Sequence, residues 1–438
     1  MKKVIALVIV AALTFGIAGC GSKTSSDSSA SSTSTASTET SSSTDSAKPA
    51  EPVKLTFWTL ALQPTFTDFI NGLLDKYKQE NSNVSIVWQD LPYDAIQQKV
   101  LTATAADNSP DVVNIWSQLA LTLAGKGALL DLDKVATPEQ KGIYSEAMYE
   151  SARLGDGVYA FPWYSTPNIT SYNAELFKKA GFENPPKTYD EELEMAAQFK
   201  EKTGAFIDTP SSMYHMFCYY NIPLVSADKK TAAFNTPEAV ALVTKLQKAG
   251  LSGAIPTSKW DDWDNMRQLF ANNKVAMIVA GPQTVTRIKT ESPTAYGKMA
   301  VTTPVLGPSG KSGAAIMNLV IPAKSKNPTE AVKFANFISN DENQLAFCKI
   351  VSIFPTTKAA AADPFFKSDM ESLEGQANYY ASLSSLASSD LTMGLPNDDE
   401  VKKEIDNITD AIFARKTDPQ TAIANAEKKV NELLSKNQ

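Results

Sequence analysis

The stretch that decides the fold is residues 159–177, Tyr-Ala-Phe-Pro-Trp-Tyr-Ser-Thr-Pro-Asn-Ile-Thr-Ser-Tyr-Asn-Ala-Glu-Leu-Phe. A short apolar strand runs into Pro162, and a second strand resumes at Ile169 after a polar break that contains a proline. Asn173 follows as a predicted helix N-cap, and Gly181 is the residue type that closes such a helix. A proline-bracketed break between two strands indicates a chain that crosses from one lobe to another.

Strands and helices alternate on both sides of this crossing. Residues 53–59, 83–88 and 110–115 are predicted strands, and helices with one apolar face separate them. Thr65 and Thr188 each precede an acidic residue by three positions, which predicts a helix N-cap at both. This alternation predicts an α/β fold with two mainly parallel sheets flanked by helices.

Two further breaks resemble the first one. They lie near residues 307–316 and 351–357, and the first crossing lies near 163–167. Three crossings form a stiff hinge, which favours two lobes that close on a cleft over two independent domains. The expected lobes are residues 53–163 with 316–354, and residues 164–315 with 355–438.

The first 52 residues differ in composition from the rest of the chain. Lys2 and Lys3 precede a short apolar run, and small residues lead directly to Cys20, which resembles a bacterial lipobox. The alternative is an ordinary secretory signal with an incidental cysteine. We expect residues 1–19 to be a signal peptide, Cys20 to be lipidated, and the Ser/Thr-rich residues 20–52 to tether the protein to the outer face of the cytoplasmic membrane.

The composition excludes several classes of protein. The 438 residues carry a formal net charge of −7, which argues against nucleic acid as a partner. A His-based zinc site needs several imidazoles, and the chain has a single histidine, His215. The apolar neighbours of His215 predict a half-buried side chain whose hydrogen bond is satisfied. Cys218 and Cys348 are interpreted as small buried apolar residues. We expect no metal and no cofactor.

Eight short motifs occur along the chain in a characteristic order. Among them are Phe57-Trp58-Thr59, Pro110-Asp111-Val112-Val113, Tyr159-Ala160-Phe161-Pro162-Trp163, Gly281-Pro282, and Asp341-Glu342-Asn343-Gln344. Together they resemble the extracellular solute-binding proteins of carbohydrate ABC transporters, the group that includes maltose-binding protein. The resemblance covers residues 53–438. It implies a two-lobed periplasmic-binding fold and a monomer that does no catalysis and delivers a sugar to a membrane permease.

A sugar needs flat rings for its C–H faces and polar groups for its hydroxyls. Ligands of open α/β sheets lie beyond the carboxyl ends of the strands. The candidate ligand-binding residues at such positions and at the crossing are Trp58, Gln63, Trp88, Asp90, Trp116, Ser117, Gln118, Trp163, Tyr164, Thr166, Tyr219, Tyr220, Trp260 and Gln283. Trp58, Trp116 and Trp163 are expected to be the main stacking residues. Core or sheet-edge packing is the alternative for each ring.

Two other functions compete with sugar binding. A glycerol 3-phosphate binder would favour Arg or Lys at the strand ends, and these strand ends carry none, so a neutral sugar is preferred. A surface glycoside hydrolase would need a carboxylate pair. The candidate clusters, Asp261, Asp262 and Asp264 and then Asp398, Asp399 and Glu400, lie beside predicted helix starts, where acidic residues are common.

Overall fold

A computed structural model describes residues 51–106, 108–209, 212–257, 263–351, 353–385 and 388–437. The strands are β1 Val53–Leu60, β2 Val84–Leu91, β3 Val112–Trp116, β4 Arg153–Leu154, β5 Gly157–Val158, β6 Phe161–Pro167, β7 Ile169–Asn173, β8 Met277–Ala280, β9 Met299–Thr302, β10 Ser312–Val320, β11 Phe354–Pro355 and β12 Ser388–Ser389. The helices are α1 Thr67–Glu80, α2 Tyr93–Ala105, α3 Ser117–Gly125, α4 Leu132–Val135, α5 Pro138–Gly142, α6 Glu146–Glu150, α7 Ala174–Ala180, α8 Tyr189–Thr203, α9 Met213–Tyr219, α10 Pro237–Leu251, α11 Trp263–Ala271, α12 Gln283–Glu291, α13 Pro293–Tyr296, α14 Pro328–Ile338, α15 Asp341–Cys348, α16 Lys358–Ala361, α17 Leu373–Ser384, α18 Asp398–Phe413 and α19 Pro419–Leu434.

The first lobe is built on a sheet with the strand order β11-β6-β10-β3-β1-β2. The β1–β2 and β1–β3 pairs are parallel, as the strand–helix alternation predicts. Strands β6, β10 and β11 pair antiparallel with their neighbours on this path, because β10 returns from the second lobe and therefore runs against β3 and β6.

The second lobe has a smaller sheet, in the order β8-β7-β9. Both of its pairs are antiparallel, which differs from the parallel pairing that we expected. Helices α8, α9, α10, α18 and α19 contribute buried residues to the core of this lobe. The protein is thus α/β and two-lobed, with a mixed first sheet.

Local sequence signals set the ends of several helices. The Asn173 side chain accepts a hydrogen bond from the Leu176 N–H at 3.2 Å, and Gly181 has φ +90°, which confirms both ends of α7. Thr188 caps α8 by accepting from the Glu191 N–H at 3.1 Å. Thr65 does not act as a cap, because α1 begins two residues later and its N-cap position, Phe66, makes no capping side-chain bond.

A one-residue bulge in β6 changes which side chains face the core. Met317 of β10 pairs with Tyr164, and Asn318 pairs with Pro162, so Trp163 is the extra residue. The ring of Trp163 is fully buried and stacks on Phe347 at 4.7 Å. Tyr164, the next residue, also packs on Phe347, at 5.3 Å. Two consecutive side chains therefore contact the same core ring, which shows that the bulge interrupts the in–out alternation of the strand.

The side chain of Gln344 ties the crossing strand β6 and the segment after β11 to α15. This buried amide donates through Nε2 to the carbonyl oxygens of Pro162, at 3.2 Å, and Ser339, at 2.7 Å. Its Oε1 accepts from the Thr356 N–H at 2.7 Å. Because Pro162 belongs to β6 and Thr356 directly follows β11, one side chain holds both strands at the hinge.

The third crossing lies further along the chain than the sequence indicates. Strand β11 pairs with β6, and α16 still packs against α15 of the first lobe. Only α17 packs against β7 and β9 of the second lobe. The chain therefore crosses to the second lobe between α16 and α17. With the third crossing moved to this position, the lobe boundaries expected from the sequence remain a proposal.

The leader region cannot be compared with the structure. The lipobox, Cys20 and the tether up to residue 50 lie outside the described residues. Within the ranges that are described, no helix combines the length and apolar character needed to cross a bilayer.

We expect Gln344→Leu to lower the free energy of unfolding by about 2–4 kcal/mol, because it leaves the buried Thr356 N–H and Ser339 carbonyl without a partner. Urea unfolding followed by circular dichroism measures the change. Gln79→Leu, on the exposed face of α1, is the matched control. Equal stability of the two variants would contradict this role of Gln344.

Candidate functional site

The candidate site is a cavity of about 370 Å³ between the lobes. Its volume lies in the range of ~300–1,000 Å³ that small-molecule sites occupy. The first lobe, the crossing strands and the second lobe all contribute to its lining. The lining residues are Trp116, Gln118, Asn168, Asp208, Thr209, Ser212, His215, Tyr219, Met266, Val279, Gly313, Ala314, Ala315, Ile316, Asp390, Leu391 and Lys402.

The first lobe contributes the junction of β3 and α3. Trp116 is the last residue of β3, where an extended backbone turns into α3 and leaves its ring half-buried. Gln118 follows one residue into the helix and also lines the cavity. Ser117 between them is buried; its hydroxyl accepts from Asn318 Nδ2 at 3.0 Å and lies close to the carboxyl group of Asp390.

The second lobe contributes an aromatic group on α9. The ring of Tyr219 stacks on Tyr189 at 5.2 Å and lies nearly parallel to His215 at 6.2 Å. Ser212 caps the helix by accepting from the His215 N–H at 3.3 Å, and its hydroxyl is 2.8 Å from His215 Nδ1. This confirms that His215 is half-buried and has a hydrogen-bond partner. The aromatic group is therefore held rigidly at the cavity wall.

The electrostatics of the cavity favour neutral groups. Burial, with a smaller effect of Lys402, lowers the pKa of His215 to about 3, so its imidazole is neutral at ordinary pH. Burial raises the pKa of Asp208 to about 7 and that of Asp390 to about 7. A neutral imidazole and carboxyls near their pKa can each donate or accept hydrogen bonds, which matches hydroxyl groups.

The structure brings together only part of the predicted set. Trp116, Gln118 and Tyr219 line the cavity, whereas the buried Ser117 between the first two is not part of the lining. Trp163 is fully buried in the core and is therefore not a residue of the site. Trp260 lies outside the described residues.

The predicted residues of β1 and β2 form a separate cluster. Trp88 Nε1 donates to Thr59 Oγ1 at 2.7 Å, and that hydroxyl donates to Asp90 Oδ1 at 2.6 Å. Asp90 also accepts from the backbone N–H of Gln63 at 3.0 Å, while the Gln63 side chain is exposed. The ring of Trp58 lies under Lys99 Nζ at 4.8 Å. These contacts give Trp88 and Asp90 a structural role at the end of the sheet.

The remaining predicted residues also lie away from the cavity lining. Tyr220 donates its hydroxyl to Asp190 Oδ1 at 3.0 Å. Gln283 folds back so closely that a Cβ atom on Gly281 would lie 2.2 Å from Gln283 Oε1. Tyr164 packs against Phe347 next to the bulge, and Thr166 pairs with Ala315 of β10 without being part of the lining.

Several residues that line the cavity were not predicted from the sequence. Phe206, two residues before Asp208, forms an isolated parallel bridge with Val275. A short extended segment in the sequence before Asp208 could therefore have indicated this residue as a strand-end candidate. Asp390 and Lys402 follow the last crossing and carry no local motif. Only the path of the chain places them beside Trp116.

Comparison with known proteins now identifies the family. The model of the bacterial extracellular solute-binding protein family matches residues 72–374. The chain belongs to this family. This solute-binding protein has the fold of a periplasmic-binding protein from Synechococcus sp. MITs9220, with a TM-score of 0.79 to its crystal structure. The two sequences are 25% identical, and the match covers 87% of this chain and 99% of the Synechococcus chain.

Two curated relatives add information on the ligands of similar proteins. The diacetylchitobiose binding protein DasA of Streptomyces coelicolor is 23% identical over 454 residues and covers 100% of both chains. The sn-glycerol-3-phosphate-binding periplasmic protein UgpB of Escherichia coli is 22% identical over 399 residues, which is 83% of this chain and 89% of its own. Relatives of this solute-binding protein thus include binders of both a sugar and a phosphorylated polyol.

The raised pKa of Asp208 predicts how stability depends on pH. The unfolded carboxyl ionises near its ordinary pKa of 3.8, whereas the folded one stays protonated to about pH 7, so this group stabilises the fold at low pH and the contribution is lost as the pH rises from about 4 to 7. We expect Asp208→Asn to remove this loss. The difference in free energy of unfolding between the variant and the parent should therefore change with pH. It should favour the variant more at pH 7.5 than at pH 4.5, by on the order of a few kcal/mol.

Urea unfolding at the two pH values measures this difference. Asp75→Asn, on the exposed surface of α1, is the control and should change stability equally at both. A constant difference between Asp208→Asn and the parent across this pH range would contradict the prediction.

Proposed function

We propose that this chain is the substrate-binding component of an ABC importer, and that it captures a neutral sugar or short oligosaccharide in the interlobe cavity and delivers it to the membrane permease. The observation that carries the proposal is the lining of that cavity. An indole and a phenol ring, from Trp116 and Tyr219, share it with polar groups such as Gln118, Asn168 and His215. Membership of the solute-binding family supports the importer role.

The proposed binding residues differ from those expected from the sequence. Trp116, Gln118 and Tyr219 are kept from that set, and Asp208 and His215 are added because they line the same cavity. Trp116 provides the stacking surface. The polar side chains provide donors and acceptors for sugar hydroxyls.

Glycerol 3-phosphate is the second candidate, because UgpB is a relative. A phosphate site normally offers several cationic groups or a fork of N–H donors. Here Lys402 lines the cavity together with the carboxyls of Asp208 and Asp390, and His215 is neutral. This set of charges supports a neutral ligand over an anion.

A hydrolase finds little support in the described residues. Asp398 is buried, and its Oδ1 accepts from the backbone N–H groups of Met393, at 2.9 Å, and Leu395, at 3.3 Å. Asp398 therefore orders the chain before α18. Asp261 and Asp262 lie outside the described residues. We propose that the protein binds its ligand as a monomer without converting it.

We expect Trp116→Ala to weaken sugar binding about 10- to 100-fold, because a buried aromatic contact at the centre of a site contributes a large share of the affinity. Isothermal titration calorimetry with a panel of mono-, di- and trisaccharides that includes diacetylchitobiose, and with glycerol 3-phosphate, measures it. Trp88→Ala is the control, since that half-buried indole lies away from the cavity lining.

The panel separates the candidates. Binding of one sugar that Trp116→Ala weakens and Trp88→Ala does not would support the proposal. Saturable binding of glycerol 3-phosphate alone would favour the anion. Release of a chromogenic aglycone from a glycoside would favour the hydrolase.

We also propose that Cys20 carries the lipid that holds the protein at the outer face of the cytoplasmic membrane. We expect Cys20→Ser to abolish incorporation of labelled fatty acid and to move the protein from the membrane fraction to the soluble fraction. Cys218→Ser, in the second lobe, is the control and should remain in the membrane fraction. Retention of Cys20→Ser in membranes would argue for an ordinary signal sequence or another anchor.

A further inference from the structure

Residues 390–396 separate two spaces between the lobes. Asp390 and Leu391 line the inner cavity, whereas Asp390 and residues 392–396 line an outer groove of about 980 Å³. First-lobe residues that include Arg153 and Gly125 form the opposite part of the groove lining. This segment, which we term the strap, is therefore the partition between the ligand cavity and the groove.

The strap is fastened to the second lobe. The Tyr214 hydroxyl donates to the carbonyl oxygen of Leu391, and Lys229 Nζ donates to that of Gly394 at 3.0 Å. Asp398 Oδ1 accepts from two strap N–H groups, and the side chains of Met393 and Leu395 are buried in the second-lobe core. When this lobe moves, the strap moves with it.

The strap also touches both ends of α3 in the first lobe. At the start of α3, the buried Ser117 hydroxyl lies close enough to the Asp390 carboxyl to lower its pKa, against the larger opposite effect of burial. At its end, a Cβ atom on Gly125 would lie 2.2 Å from the Cβ atom of Pro396. Gly125 does not have a positive φ, so its backbone conformation does not require glycine. Close approach of Pro396 is the physical reason for glycine at this position.

We propose that residues 390–396 act as a strap that closes the ligand cavity by docking on α3, with Asp390 beside Ser117 inside and Pro396 seated on Gly125 outside. Asp390 is then a positioning residue that joins the cavity to the lobe contact. A solute in the groove reaches the inner cavity only when the strap leaves α3. The role of the strap in gating rests on the proposed function, whereas its docking on α3 does not.

A disulfide trap tests the docking without any ligand. We expect the double variant Gly125→Cys, Pro396→Cys to form an intramolecular disulfide under mild oxidation, because the strap has to move back by only about 1–2 Å for the two Cβ atoms to reach the ~3.5–4.5 Å that a disulfide spans. Gly142→Cys, Pro396→Cys is the matched control, since Gly142 lies on the first lobe with nothing near its Cβ position. The first pair should bridge at least about tenfold faster than the control pair.

Adding Ser117→Ala to the first pair tests the inner contact and should slow bridging several-fold. Peptide mass mapping of the full-length purified protein identifies the bridge, and circular dichroism checks that each variant is folded. In addition, Gly125→Val should raise the radius of gyration in small-angle X-ray scattering, whereas Gly142→Val should leave it unchanged.

Two outcomes would overturn the proposal: bridging no faster than in the control pair in a folded protein, or bridging that Ser117→Ala leaves unchanged. Because neither readout uses a sugar, failure here is distinct from failure of the proposed function. A protein that traps the strap but binds no sugar would refute only the ligand assignment.

Discussion

The hydrogen bonds of the buried Gln344 amide are the constraint on which the two-lobed arrangement depends. They join β6, the segment after β11 and α15 within the first lobe, directly beside the point where β6 crosses to the second lobe. Backbone polar groups at such a junction cannot all find partners within one sheet, and an unpaired buried group is costly. One side chain that satisfies several of them fixes the direction in which the crossing strands leave.

The bulge at Trp163 follows from the same junction. The carbonyl oxygen of Pro162 accepts from Gln344 and also from Thr356 Oγ1 at 2.7 Å, next to the position where β6 and β10 shift register. The shift puts the Trp163 indole on Phe347 and closes the core beneath the hinge. The crossing that separates the lobes is thus packed as tightly as a core, which suits motion of the lobes about a firm hinge.

The cavity shows how burial shapes recognition. Two carboxyls and an imidazole sit where water is scarce, and each is held nearer to its neutral form than it would be in solution. Burial raises the pKa of the Asp390 carboxyl, and the nearby Ser117 hydroxyl of the first lobe partly offsets that effect. Ligand recognition and contact between the lobes therefore share one residue.

Periodicity and caps along the chain by themselves determined the α/β class, both ends of α7, the start of α8 and the existence of crossings, because these depend on contacts a few residues apart. They also placed Trp116 and Gln118 at the end of a strand beside a cleft. Only the tertiary structure decided that Trp163 is core, because a bulge is set by pairing with a strand far away in sequence. It alone brought Asp208, His215 and Asp390 to Trp116, because long-range packing, which no local pattern encodes, determines where separate segments meet.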